Sequence, residues 1–243
     1  MTTENANWCE WPNGWQVEHV LETGSTNTDL FERAQSGAPT HTVLAADFQT
    51  AGRGRLDRSW EAVRGANLLV SILFRDSLRP QHNFSQIVGL AAARACERLS
   101  GVRPELKWPN DLLASGRKLS GLLASGGADF VVVGIGINVN WAPSGAIALR
   151  EAAHHETLQP AGVLREMLIA IDELEALSLD SLHELYSASL GTIGAQVRIE
   201  RSDGNALLGQ ATAVERNGRL VVVDEAGVTH RIDTGDVIHL RGA

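Results

Sequence analysis

Residues Gln49 to Trp60 read Q-T-A-G-R-G-R-L-D-R-S-W. Gly52 and Gly54 alternate with Arg53 and Arg55, and Arg58 follows. Glycine lets a backbone come close to a ligand and adopt unusual dihedrals. Arginine presents a planar fork of donors suited to phosphate or carboxylate. The stretch suits wrapping an anion, and its polarity predicts a loop that orders when that anion arrives. A solvated basic turn would carry the same residues, and no Gly-Lys-Ser/Thr follows to make a P-loop.

The flanking sequence gives the loop a setting. Thr42 to Phe48 reads as the strand that delivers it, and Val17 to Leu21 alternates as an earlier strand. Between them, Ser25, Thr26 and Asn27 stand where a helix starts, with Leu30, Phe31 and Ala34 on one face and Gly37 and Pro39 ending it. Helix capping is the simple role for these three. A helix start rich in hydroxyls and amides also suits a polar ligand.

Downstream, Asn67 to Phe74 is a nearly unbroken apolar run, as expected of a strand buried on both faces. Phe84 to Leu99 has helical spacing and stops at Gly101. Pro104 to Trp108 is extended, and Ser115-Gly116 turns a hairpin that puts Lys118 on its second strand. Phe130 to Val139 is a strand interrupted by Gly134 and Gly136, which mark either a close approach or a bulge. Residues 141–157 read as loop, and helical stripes follow over Leu164–Leu177 and Ser181–Leu190. From Gly191 five short alternating strands predict a small β-barrel. The expected organisation is an arm over 1–16, anchored by Trp8, Trp11 and Trp15, a main domain over 17–190, and a barrel over 191–243.

Composition narrows the class. The 243 residues are 44% hydrophobic and 21% charged, ordinary for a globular protein. The net charge of −8 argues against a nucleic-acid binder and leaves the Gly/Arg loop as a basic patch on an acidic body. Two cysteines without metal-ligand spacing fit a reducing compartment. With no leader-like N-terminus and no long apolar run, a cytoplasmic location without membrane contact is expected.

Taken in order, S-T-N (Ser25 to Asn27), Q-x-A-G-R-G-R (Gln49 to Arg55), Trp60, G-A-N-L (Gly65 to Leu68), K-W-P-N-D (Lys107 to Asp111), R-K-L-S-G-L-L (Arg117 to Leu123) and G-I-G-I-N-V (Gly134 to Val139) resemble the biotin–protein ligases. The resemblance implies an α+β catalytic domain, a mixed sheet with flanking helices like that of class II aminoacyl-tRNA synthetases, followed by a Src-homology-3-like barrel. It implies two steps, in which biotin and Mg-ATP give biotinyl-5′-AMP and a lysine of a biotin carboxyl carrier domain then takes the acyl group. No DNA-binding domain precedes the motifs, so no operator binding is expected, and the protein is expected as a monomer or homodimer.

The residue types suit that chemistry, because joining a carboxylate to an α-phosphate needs cations at the reacting oxygens. The expected catalytic groups are Lys118, Arg53 and Arg55. Biotin is expected against Ser25, Thr26, Asn27, Gln49, Gly52, Arg53, Gly54, Arg55, Trp60, Lys118 and Gly121. ATP is expected against Arg53, Arg55, Arg58, Trp60, Asn67, Lys107, Asn110, Asp111, Lys118, Gly134, Gly136 and Asn138. Asp111 is the expected Mg²⁺ contact. Two departures from the family pattern stand out: Asp57 where a glycine is common, and Ser125 where a glutamate is common. The competing expectations are a lipoate or octanoate ligase of the same fold and a biotin sensor without catalysis.

Overall fold

The computed structural model describes residues 8, 10–55, 58–75, 78–154, 157–200, 206–233 and 235–240. Asp57, singled out above, lies outside them, as do residues 1–7 and 9 of the arm and residues 241–243.

The main sheet has seven strands: β1 (Gln16–Val20), β2 (Thr42–Ala46), β3 (Leu68–Phe74), β4 (Glu105–Lys107), β5 (Asp111–Ala114), β6 (Arg117–Gly126) and β7 (Val131–Ile137). Their spatial order is β1-β2-β3-β7-β6-β5-β4. Only the β1–β2 pair is parallel, so the sheet is mixed, as expected. The helices are α1 (Thr26–Gln35), α2 (Gln81–Ser100), α3 (Leu149–Ala153), α4 (Pro160–Glu175) and α5 (Leu179–Ser189). The short α3 lies in the segment read as loop, because a single turn of helix is too brief to show periodicity.

Strand alternation sorts the two faces. Val70, Ile72 and Phe74 of β3 point to the large core, which includes Phe84, Ile87 and Ala91 of α2 and Val163, Leu164 and Met167 of α4. Leu73 of β3 and Val132 of β7 point the other way, onto Leu30 and Ala34 of α1. One strand therefore serves two cores, which is why Leu68–Phe74 is buried at every position. Moving along that α1 face, the wall residues shrink. Leu73, Ser71 and Leu69 lie beside Val132, Gly134 and Gly136, and these lie beside Ser125, Leu123 and Gly121. An apolar floor under α1 thus becomes a shallow, partly polar one beyond its N-terminus. The β3–β7 and β6–β7 registers run without interruption, so Gly134 and Gly136 mark close approach and no bulge.

The C-terminal unit holds β8 (Gln196–Glu200), β9 (Ala206–Val214), β10 (Leu220–Val223), β11 (Thr229–Ile232) and β12 (Asp236–His239). They form an antiparallel sheet in the order β11-β10-β9-β8-β12, a Src-homology-3-like arrangement. Its inward residues, among them Val197, Ile199, Val222 and Val237, join the large core instead of forming a separate one. No helix among the described residues is long and apolar enough to cross a membrane.

Candidate active site

The Gly/Arg loop leaves β2 and is fastened by backbone hydrogen bonds. Thr50 and Ala51 donate to Thr23 and Gly24 at 2.9 Å each, and Trp60 donates to Gly52 at 3.0 Å. Gly54 donates to Arg58 at 2.6 Å, closing a tight bend. The described part of the loop therefore has a defined path where composition alone predicted none. Gly52 suits that path, because a Cβ there would stand 3.0 Å from the Trp60 carbonyl, tighter than ordinary contact.

The loop, the start of α1 and the floor of β3, β7 and β6 enclose a cavity of about 140 Å³. One end is polar and neutral. Gln49 Oε1 accepts from the Thr26 amide at 2.7 Å and from its hydroxyl at 3.0 Å. Thr26 Oγ1 lies 2.9 Å from Ser71 Oγ. Ser25 occupies the N-cap position but makes no side-chain cap bond. This corrects the capping role: Gln49 satisfies the Thr26 amide from the loop side, and the Ser25 hydroxyl is left at the cavity wall.

The other end is cationic. Among the described residues, Arg53, Arg55, Arg58 and Lys118 line the cavity with one carboxylate, Asp111. Lys118 Nζ lies 2.7 Å from Asp111 Oδ1, an ion-pair distance, although the approach falls outside hydrogen-bond geometry. Arg55 donates to Asn110 Oδ1 at 3.2 Å and lies 3.5 Å from the Gly235 carbonyl. Asn110 is itself held, donating to the Leu122 carbonyl at 2.8 Å.

Trp60 lies between the ends. A Cβ on Gly136 would overlap its indole, and one on Gly121 would stand 3.1 Å from both Trp60 Cζ3 and Lys118 Nζ. Gly121 and Gly136 are register partners, so a glycine pair across two strands seats the tryptophan. Lys118 Nζ lies 5.7 Å from the indole centroid, within cation–π range. Trp60 Nε1 is buried and has no hydrogen-bond partner among the described residues.

Most of the expected residues thus converge. Lys107 instead faces an adjoining cavity of about 260 Å³, which Arg55, Asn110 and Asp111 also line. Asn67 and Asn138 are 3% and 1% exposed and do not line the first cavity. Asn67 Oδ1 accepts from the Val139 and Trp141 amides, and Asn138 Nδ2 approaches the Lys118 carbonyl at 3.4 Å. They lie beneath the site and hold its backbone. Ser59, Val70, Ser71, Leu122, Leu123 and Ile135 also line the cavity and were not foreseen. Of these only Ser71 carried a signal, as the lone hydroxyl in a run of apolar residues.

Residues 22–140 match the Biotin/lipoate A/B protein ligase family, and residues 192–240 match the biotin protein ligase C-terminal domain. The chain is 38% identical to the biotin–[acetyl-CoA-carboxylase] ligase of Mycobacterium tuberculosis, over 94% of this chain and 91% of that one. The chain belongs to the biotin–protein ligase family. A second ligase of this family, from Paracoccus denitrificans, is 32% identical over 92% of this chain and 93% of its own. The biotin protein ligase from Aquifex aeolicus in complex with biotin and ATP superposes with a TM-score of 0.80 at 27% identity, covering 93% of this chain and 99% of that one. The likeness to these ligases extends through the C-terminal sheet, so both parts of the chain belong to the family fold.

Proposed function

We propose that this biotin–protein ligase activates biotin with MgATP and passes the acyl group to a lysine of a biotin carboxyl carrier domain. The observation that carries the reading is the polarity of one cavity: among the described residues, neutral hydroxyls and amides stand at one end, and four cations with a single carboxylate at the other.

The bicyclic urea needs donors and acceptors together. Ser25 Oγ and Gln49 Nε2 make no hydrogen bonds to the described residues, and with Asn27 they supply that end; Thr26 holds Gln49 in place and is itself bonded to Ser71. The biotin carboxylate then points toward Lys118, Arg53 and Arg55. In the first step a carboxylate oxygen attacks the α-phosphorus and pyrophosphate leaves. Lys118, released from Asp111, neutralises the two oxygens that are brought together, and Arg53 and Arg55 cover the phosphates. Trp60 offers a flat face for the ligand above the Gly121–Gly136 seat. Gly52 and Gly54 bring the loop backbone close, and the closed loop keeps water off the mixed anhydride. In the second step the acceptor amine attacks the acyl carbon, AMP leaves, and one proton is released.

Among the described residues no cluster of three metal-ligating side chains exists. Asp111 offers a buried carboxylate oxygen outside hydrogen-bond geometry. That fits a Mg²⁺ ion that arrives on the nucleotide phosphates, since Mg²⁺ takes one or two carboxylates and leaves the rest to phosphate and water. When bound, the ion supplies charge neutralisation at the phosphates. Lys107, Arg58 and Asn110 extend the positive, polar wall on that side, and Asn67 and Asn138 act through the backbone they support. The acidic net charge favours a protein acceptor over nucleic acid, and buried, unpaired Cys96 suits the reducing cytoplasm. We place the working unit as a monomer or homodimer.

Incubating the protein with biotin, MgATP and a carrier domain is expected to give a streptavidin-reactive acceptor. Transfer of lipoate in place of biotin would sink the reading in favour of the other branch of the family.

A further inference from the structure

Beside the neutral end of the cavity lies an open groove of about 340 Å³, lined by Thr28, Phe31, Glu32, Gln35 and Ser125, of which Thr28, Glu32 and Gln35 are exposed. The two spaces share Ser25, Asn27, Arg53 and Leu123 as common walls. Asn27 is the side chain best fixed between them. Its Oδ1 accepts from Ser125 Oγ at 2.7 Å, and its Nδ2 donates to the Leu123 carbonyl at 3.2 Å. Its reverse side packs on Gly134, where a Cβ would stand 2.9 Å from Nδ2. Both polar atoms of the carboxamide are thus engaged, and neither rotation nor tilt is free without breaking a bond.

We propose that the Asn27–Ser125 pair is a partition that sets the size of ring the ligase accepts, with Ser125 positioning Asn27. Asn27 closes the compact chamber against the bicyclic urea. Ser125 holds the carboxamide in that plane from the far side, within the groove. With the partition in place, a ring enlarged toward α1 meets a side chain that cannot turn away. With it removed, the substituent enters a space walled by Phe31, Gln35 and Glu32, which suits a short alkyl or aryl group, or one ending in a hydrogen-bond donor. The inference rests on the proposed ligase activity and concerns which ring is selected, not whether biotin is activated.

The test is biotin-dependent adenylation, followed as pyrophosphate release. It uses biotin and a panel of neutral analogues, each enlarged by a methyl or propyl group at one or the other ureido nitrogen. The wild-type protein is expected to use biotin and reject the enlarged rings. Asn27→Ala is expected to narrow the ratio of kcat/KM for biotin over at least one enlarged analogue by ~10-fold or more, the scale of one methylene's worth of pocket discrimination. Ser125→Ala is expected to raise KM for biotin with kcat little changed and to relax the ratio partly, whereas Ser125→Thr, which keeps the hydroxyl, restores both. A ratio unchanged across the whole panel in both Asn27→Ala and Ser125→Ala overturns the partition while leaving the ligase activity standing. Wild-type protein that releases no pyrophosphate with biotin overturns the underlying reading as well. Should Asn27→Ala fail to fold, the surface-side Ser125 variants decide the matter alone.

Discussion

Lys118 side-chain exposure is 42%, and its ammonium is paired with one carboxylate. By residue type alone it is an ordinary surface lysine. Its placement gives it a role: Gly121 leaves room beside Nζ, and Trp60 and Asp111 fix its direction. Replacing Lys118 with alanine is expected to lower adenylate formation by ~10²–10³-fold, the scale seen when one preorganised donor to a developing charge is lost. Biotin-dependent pyrophosphate exchange measures this, and retained exchange would move the central donor elsewhere. Gly136 is the complementary test. An added methyl must displace the Trp60 indole or bend β7, which costs ~1–3 kcal/mol of overpacking. Gly136→Ala is therefore expected to melt a few degrees lower and to raise KM for ATP or biotin, read by thermal denaturation and by pyrophosphate exchange. Neither glycine's function was readable from spacing alone, because a glycine in a strand signals close approach without naming what approaches.

At the scale of elements, the segment before β1 is pinned to α4 by a small titratable cluster. Buried Trp15 stacks on His41 at 4.2 Å between ring centroids and donates to Asp172 at 3.1 Å. His41 Nε2 lies 2.9 Å from Glu175 Oε2. The hydrogen bond to Glu175 holds the imidazole above its ordinary pKa, against a burial that works the other way. Burial raises the Asp172 carboxyl, partly offset by the Trp15 bond. A raised folded pKa contributes stability that is full below the unfolded value and is lost as pH rises through the folded one. Both groups therefore favour the fold at lower pH, His41 in the window starting near its ordinary value of about 6.5. His41 has φ of 62°, a left-handed conformation that asparagine tolerates. In His41→Asn, the fall of Tm between about pH 6 and about pH 8 should be shallower than in the wild type. Parallel slopes would show that this cluster does not couple to folding. The sequence marked the three tryptophans as anchors, but the partner of Trp15 lies 157 residues away and no local pattern points to it.

Across the whole molecule, Trp108 of K-W-P-N-D joins the two sheets. It is 3% exposed, its amide donates to Thr192 Oγ1 at 2.9 Å, and its indole donates to the Gly218 carbonyl at 2.9 Å. His239 Nε2 lies 3.0 Å from the same Thr192 oxygen, and burial, then the charge of Lys107, holds this imidazole below its ordinary pKa. The neighbours of Trp108 in sequence, Lys107, Asn110 and Asp111, line cavities whose other walls include Glu200 and Val237 of the C-terminal sheet and Asp233 just after β11. Trp108→Phe removes the indole donor and some volume, and is expected to cost about 1–3 kcal/mol in urea denaturation. It should also loosen the bond between Arg55 and the Gly235 carbonyl, read as a higher KM for ATP; unchanged stability and KM would leave Trp108 a passive filler.

What the sequence determined by itself is local. Apolar runs, glycine stops and turn pairs placed β3, α2, the β5–β6 hairpin and the five C-terminal strands, because periodicity and backbone preference act within a few residues. The ordered motifs named the family for the same reason: each is a short stretch whose chemistry travels with it. What only the tertiary structure decided is adjacency. Ser71 joins Thr26, Ser125 holds Asn27, and Gly121 meets Gly136 through strand register, while Asn67 and Asn138 fall beneath the floor because of which face they occupy. Register and face are set by packing across the sheet, where contacts between residues far apart in the chain outweigh anything a short segment encodes.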